Sequence, residues 1–89
     1  MQQLAWRKAE KPKNLVGGRV KQARHVHRPP LHQADLAAAM AEALDRPKFD
    51  RATVARIEAG DRVVSDLELV ALANALDVDV GWLLFGDGE

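Results

Sequence analysis

The chain contains no cysteine, which excludes disulfide bonds and thiolate metal ligands and fits a cytoplasmic location. Tyrosine is missing too, and two tryptophans with two phenylalanines make up the whole aromatic content. Alanine and leucine carry much of the 47% apolar fraction, a bias toward helices over sheets. Long apolar runs are absent. Met1 to Asn14 is charged, so neither a signal peptide nor a membrane span is expected there. Serine occurs once, at Ser65, and the carboxylates are spread out with no paired set to divide acid and base roles, so no enzyme is expected. His25, His27 and His32 are spaced by two and five residues, which does not align ligands on one helix face; no metal site is expected. No glycine-rich loop follows a strand, so no nucleotide cofactor is expected either.

Net charge is also lacking: 13 Lys and Arg balance 13 Asp and Glu. The balance hides a strong asymmetry. Residues 1–32 hold eight Lys or Arg against Glu10 alone, whereas residues 33–89 hold five against twelve Asp or Glu. A chain polarised in this way can offer a basic face to a polyanion while the other face stays acidic. The plainer alternative is a fold with uneven surface charge. A chain of 89 residues supports one small domain with one modest core.

Residues 1–13 read as an extended or flexible basic N-terminal arm, and residues 14–89 as the folded domain. A first helix is expected from about Asn14 to His27, with Val16, Val20, Ala23 and His27 on one stripe. Gly17 and Gly18 weaken it by about 1 kcal/mol each relative to alanine, and Pro29–Pro30 ends it. A second helix covers Gln33 to Leu44, burying Leu36, Ala37, Met40 and Leu44; His32 is a poor cap for it. Asp45-Arg46-Pro47-Lys48 is a turn that Pro47 prevents from continuing as helix.

The third helix, residues 51–59, is short and fully punctuated. Asp50 caps its start, Gly60 takes the left-handed turn at its end, and Phe49 with Val54 forms a hydrophobic staple. Val54 and Ile57 mark its buried side, leaving Arg51, Ala52, Thr53, Ala55 and Arg56 outward. Ser65 and Glu68 have capping-box spacing for a fourth helix to about Leu76, burying Leu69, Leu72, Ala73 and Leu76. Asp79 caps a fifth, Val80 to Phe85, which Gly86 stops. The expected class is all-α, with five helices and no strands.

A helix pair joined by a turn, whose second member is short, capped and outwardly basic, suits insertion in a DNA major groove. The run Gln33-Ala34-Asp35-Leu36-Ala37, then Thr53 to Gly60, then Ala73-Asn74-Ala75-Leu76 and Val80-Gly81-Trp82-Leu83-Leu84, resembles the phage-repressor (Xre/Cro-like) helix-turn-helix family. The resemblance spans about residues 14–86 and implies a compact lambda-repressor-like domain. It implies a phosphate contact for Gln33 and base reading by Arg51, Ala52, Thr53 and Arg56. It also implies a structural ion pair between Arg24 and Glu58, and a phosphate contact for Arg62 in the loop after the third helix.

Two departures accompany it. The segment from Leu36-Ala37 to Ile57-Glu58 is about seven residues longer than the family's usual spacing, so either the second helix is longer or the turn is a real loop. Lys48 then joins the expected phosphate contacts, along with Lys8, Lys11 and Lys13 of the arm. Asp77 stands where the family usually has glycine, a position aspartate tolerates better than most residues. The resulting expectation is a sequence-specific DNA-binding transcriptional regulator, a repressor, acting as a homodimer on a palindromic site in double-stranded DNA. Trp82, Leu83, Leu84 and Phe85 are divided between core and dimer contact. A second class stays open: an antitoxin or adaptor whose main partner is another protein, served by the arm or the acidic half.

Overall fold

Helix punctuation decides the architecture. The computed structural model describes residues 11–87, within which the chain forms α1 (Gly17–Val26), α2 (Gln33–Leu44), α3 (Arg51–Glu58), α4 (Asp66–Leu76) and α5 (Val80–Phe85), with no strand among the described residues. Lys8, Leu4 and Trp6, and the rest of 1–10, lie outside the described residues. The apolar stripes converge on one core. Val20 of α1, Leu36 and Met40 of α2, Val54 and Ile57 of α3, Leu72 of α4 and Leu83 of α5 are all essentially sealed from solvent. α2 packs against both α3 and α4, α1 against the same two helices, and α5 closes on α4.

The first helix is shorter than its pattern suggests, at both ends. It starts at Gly17, because the Asn14 side chain works as a cap from outside: its Oδ1 accepts from the backbone N–H groups of Val16 (3.0 Å) and Gly17 (2.8 Å). It ends at Val26, with His27 half-buried in the link rather than on the core stripe. Gly17 itself is no weakness. A Cβ there would overlap the carbonyl oxygen of Ile57 and lie 2.9 Å from that of Glu58, so its bareness lets α1 press against the end of α3.

α2 occupies Gln33 to Leu44 as expected, and the Asp35 carboxylate accepts the His32 N–H at 2.8 Å. The stretch between the buried faces of α2 and α3 is filled by the end of a twelve-residue helix and a loop over 45–50. α2, α3 and α4 end in the same way, on a left-handed residue: Asp45 (φ 51°), Gly60 (φ 74°) and Asp77 (φ 57°). In each case the next residue's N–H reaches back into the last turn, as in Arg46 N–H to Ala41 O, Asp61 N–H to Arg56 O and Val78 N–H to Ala73 O. Asp77 therefore ends α4 in the conformation that glycine most readily adopts.

The fourth helix carries the expected capping box, with Ser65 Oγ accepting from Glu68 N (3.2 Å) and Glu68 Oε1 from Ser65 N (3.0 Å). Its buried face differs from the periodic reading. Leu69 is only half-buried, while Ala71 and the charged Glu68 are buried. Asp79 stands before α5 but makes no side-chain cap. At the other end of α5, Arg19 Nη1 donates to the carbonyls of Leu83 and Leu84 at 3.4 Å each. Leu83 is core and Trp82 half-buried, whereas Phe85 is 67% exposed.

Candidate nucleic-acid interface

Three local features set α3 in place. The Asp50 carboxylate accepts from the Thr53 N–H (2.9 Å) and from the Thr53 hydroxyl (2.9 Å), which also holds its pKa below the ordinary carboxylate value. Val54 and Ile57 are fully buried and Phe49 nearly so. The turn from Gly60 is then tied by the Asn14 amide, whose Nδ2 donates to Ile57 O (3.1 Å) and Arg62 O (2.8 Å). With both side-chain atoms engaged, Asn14 links the start of α1 to the end of α3. Sequence reasoning saw it only as the start of the first helix.

What α3 leaves outside is the expected row. Arg51, Ala52 and Arg56 are exposed, and Thr53 and Ala55 are half-buried. Arg51 Nη1 donates to Gln33 Oε1 at 3.2 Å, and the Arg56 guanidinium has no hydrogen bond or ion pair among the described residues. The Thr53 hydroxyl proton is directed to Asp50, so that residue retains its acceptor lone pairs and methyl group.

Behind the row runs a polar relay. Arg24 Nε and Nη2 grip Glu58 Oε2 (2.8 Å) and Oε1 (3.0 Å), both side chains nearly buried, and Arg24 Nη1 donates to Leu31 O (3.1 Å). The Glu58 hydrogen bond raises the Arg24 pKa, so the guanidinium stays charged. Glu58 Oε1 also accepts from Gln33 Nε2 at 3.1 Å. Gln33 therefore stands between Glu58 and Arg51, at the first turn of α2, with one N–H and one lone pair that no described residue takes. The relay Arg24–Glu58–Gln33–Arg51 connects three helices and fixes one guanidinium of the exposed row.

The remaining sequence-chosen cations are placed differently. Lys48 is exposed in the loop before α3. Lys11 and Lys13 are exposed beside the end of α3; Lys13 N–H donates to Gly60 O (2.8 Å), and its ammonium is 3.9 Å from Asp61, an exposed pair that adds little. Arg62 is not a free cation: it holds both oxygens of Glu68 at 2.9 Å, donates to Val63 O (3.1 Å) and lies 5.5 Å from the Phe49 ring centroid. A phosphate would have to compete with a buried carboxylate for it. Arg46 Nη1 meets the same carboxylate at 2.7 Å. These hydrogen bonds, led by Arg62 and opposed by burial, hold the Glu68 pKa down at about 2. The capping-box spacing explained Glu68 well enough in sequence to hide this second role, and no sequence signal singles out Arg46.

The sequence profile of the helix-turn-helix family matches residues 31–83, from just before α2 to within α5. The chain belongs to the helix-turn-helix family, of the phage-repressor type, and is a DNA-binding transcription regulator of that class. Among solved structures it is similar to the P22 c2 repressor protein in complex with synthetic operator 9T in the presence of Tl+. The two share 23% identity and a TM-score of 0.60, over 83% of this chain and 98% of that one. This likeness is one of fold. No curated protein matches the chain. No helix among the described residues is long and apolar enough to cross a membrane.

Proposed function

We propose that the chain is a sequence-specific transcriptional repressor that inserts α3 in the major groove and binds a palindromic operator as a homodimer. The observation that carries this reading is the outer row of α3: Arg56 unengaged, Arg51 held on Gln33, and nothing described covering either. A planar guanidinium with free donors is the natural bidentate partner of guanine O6 and N7. Ala52 and the Thr53 methyl suit a thymine methyl group. Gln33 and Lys48, together with Lys11 and Lys13, take phosphates and set register. Arg62, bound to Glu68, passes from phosphate contact to framework in this reading.

One helix of eight residues reads only a few base pairs, so two copies related by a two-fold axis supply the rest. The exposed Phe85 is the apolar group that α5 offers for that contact, Leu83 being buried. A small domain seated on its operator represses by occupancy. Selection of bound duplexes from a random pool tests the reading. It should return a palindrome with half-sites about one turn, roughly 34 Å, apart. Recovery of unrelated sequences would refute base reading, and an unpaired half-site would refute the dimer.

A second reading, an adaptor or antitoxin, is favoured by exposed Val63, Leu67 and Val70 around the start of α4, within the acidic part of the chain. Co-purification with a stoichiometric partner from the native host supports that reading. Retention on a DNA column that collapses steeply with salt supports the first.

A further inference from the structure

Glu68 lies on α4, outside the exposed row and outside the relay behind it, yet its carboxylate holds two guanidinium groups and a backbone N–H. Its carboxylate is 4% exposed and accepts from four donors: Arg46 Nη1 (2.7 Å), Arg62 Nη1 and Nη2 (2.9 Å each) and Ser65 N (3.0 Å). Arg46 belongs to the loop that leads into α3, and Arg62 to the loop that leaves it. One carboxylate thus joins both flanks of the same helix.

We propose that Glu68 is a positioning residue for base reading, a cross-brace that sets the orientation of α3 relative to the rest of the domain. The inference rests on the assignment of α3 as the reading helix. A tight turn between the two helices would fix their angle by itself. Here the connection is a loop over 45–50, and such a loop admits several angles. The brace removes that freedom. A buried carboxylate cannot give up its cations cheaply, so Arg46 and Arg62 are held where Glu68 puts them. The Arg62 guanidinium lies near the face of Phe49, the buried residue immediately before the Asp50 cap, which carries the constraint into the first turn of α3. Capping alone does not explain this arrangement. The Ser65 box needs only one oxygen of Glu68, and Arg62 takes both.

The test uses the whole chain with Glu68→Gln, which keeps an acceptor for Ser65 N–H and removes the charge that holds the two arginines. Arg46→Gln, which leaves the capping box and Arg62 intact, is the companion variant. Two quantities are read at a temperature where circular dichroism shows every variant folded: the orientation of the Arg51–Glu58 amides relative to α4, from residual dipolar couplings in the free protein, and the ratio of affinities for a selected operator and a random duplex. Both variants should rotate α3, and the ratio should fall about tenfold, comparable to loss of one good bidentate base contact. Binding to the random duplex should change far less. An α3 orientation and an affinity ratio that match wild type in both variants overturn the proposal and leave the reading of α3 standing. Wild-type protein with no preference for any duplex overturns the reading itself, and with it the proposal.

Discussion

Replacing Gly17 by alanine should destabilise the domain, while the same change one residue later should stabilise it. Both glycines lie in the first turn of α1, and helix propensity favours alanine at each by up to about 1 kcal/mol. Their surroundings separate them. A Cβ on Gly18 meets nothing within 4 Å, so the propensity gain stands. A Cβ on Gly17 overlaps the Ile57 carbonyl oxygen and comes within 2.9 Å of the Glu58 oxygen and 3.1 Å of its carbon. These are backbone atoms at the end of α3, so no rotamer change relieves the overlap, and α1 has to move away from α3. Overpacking of this kind costs about 1–3 kcal/mol, which outweighs the propensity gain. The net result is a loss of about 1–2 kcal/mol for Gly17→Ala against a gain of about 0.5–1 kcal/mol for Gly18→Ala. For a domain of this size a difference near 2–3 kcal/mol separates the two melting temperatures by roughly 10–20 °C. Thermal and urea unfolding followed by far-UV circular dichroism measures it. If Gly17→Ala proves as stable as Gly18→Ala, the close approach of α1 to α3 is not a constraint and the packing argument fails.

Other perturbations probe the interface and the ion pairs. Arg56→Ala should lose about 1–3 kcal/mol at the selected operator while random duplexes bind almost as before; equal losses on both in a titration remove Arg56 from the reading row. Arg24→Met strands the nearly buried Glu58 carboxylate with Gln33 as its remaining side-chain partner, and should cost about 3 kcal/mol or more in urea unfolding. Acid should also weaken the fold through Glu68. Its folded pKa, about 2, lies below the ordinary glutamate value of 4.5, so its contribution is complete above pH 4.5 and fades as pH falls toward 2. Glu68→Gln should flatten the stability profile in that window, and an equally steep profile in the variant would show that other carboxylates are responsible.

How far the sequence carried can be seen residue by residue. α2 begins and ends where its pattern placed it, because a leucine–methionine stripe and a proline-blocked turn are local signals. α1 begins three residues later than its pattern suggests, since Asn14 is an external cap whose amide also serves α3, and it ends one residue earlier. Within the interface, the exposed state of Arg51 and Arg56 followed from the inward turn of Val54 and Ile57. The engagement of Arg62 did not, for nothing local tells an arginine in a loop whether a phosphate or a buried carboxylate will take it.

By itself, the sequence determined the five helices, the caps of α3 and α4 and the inward face of α3, since propensity, capping and periodicity act over a few neighbouring residues. Which charged groups face solvent and which brace the fold was decided only in the tertiary structure. Arg46, Arg62 and Glu68 meet across two loops, as do Gly17 and the carbonyls that end α3, and those meetings depend on how the helices pack rather than on any spacing along the chain.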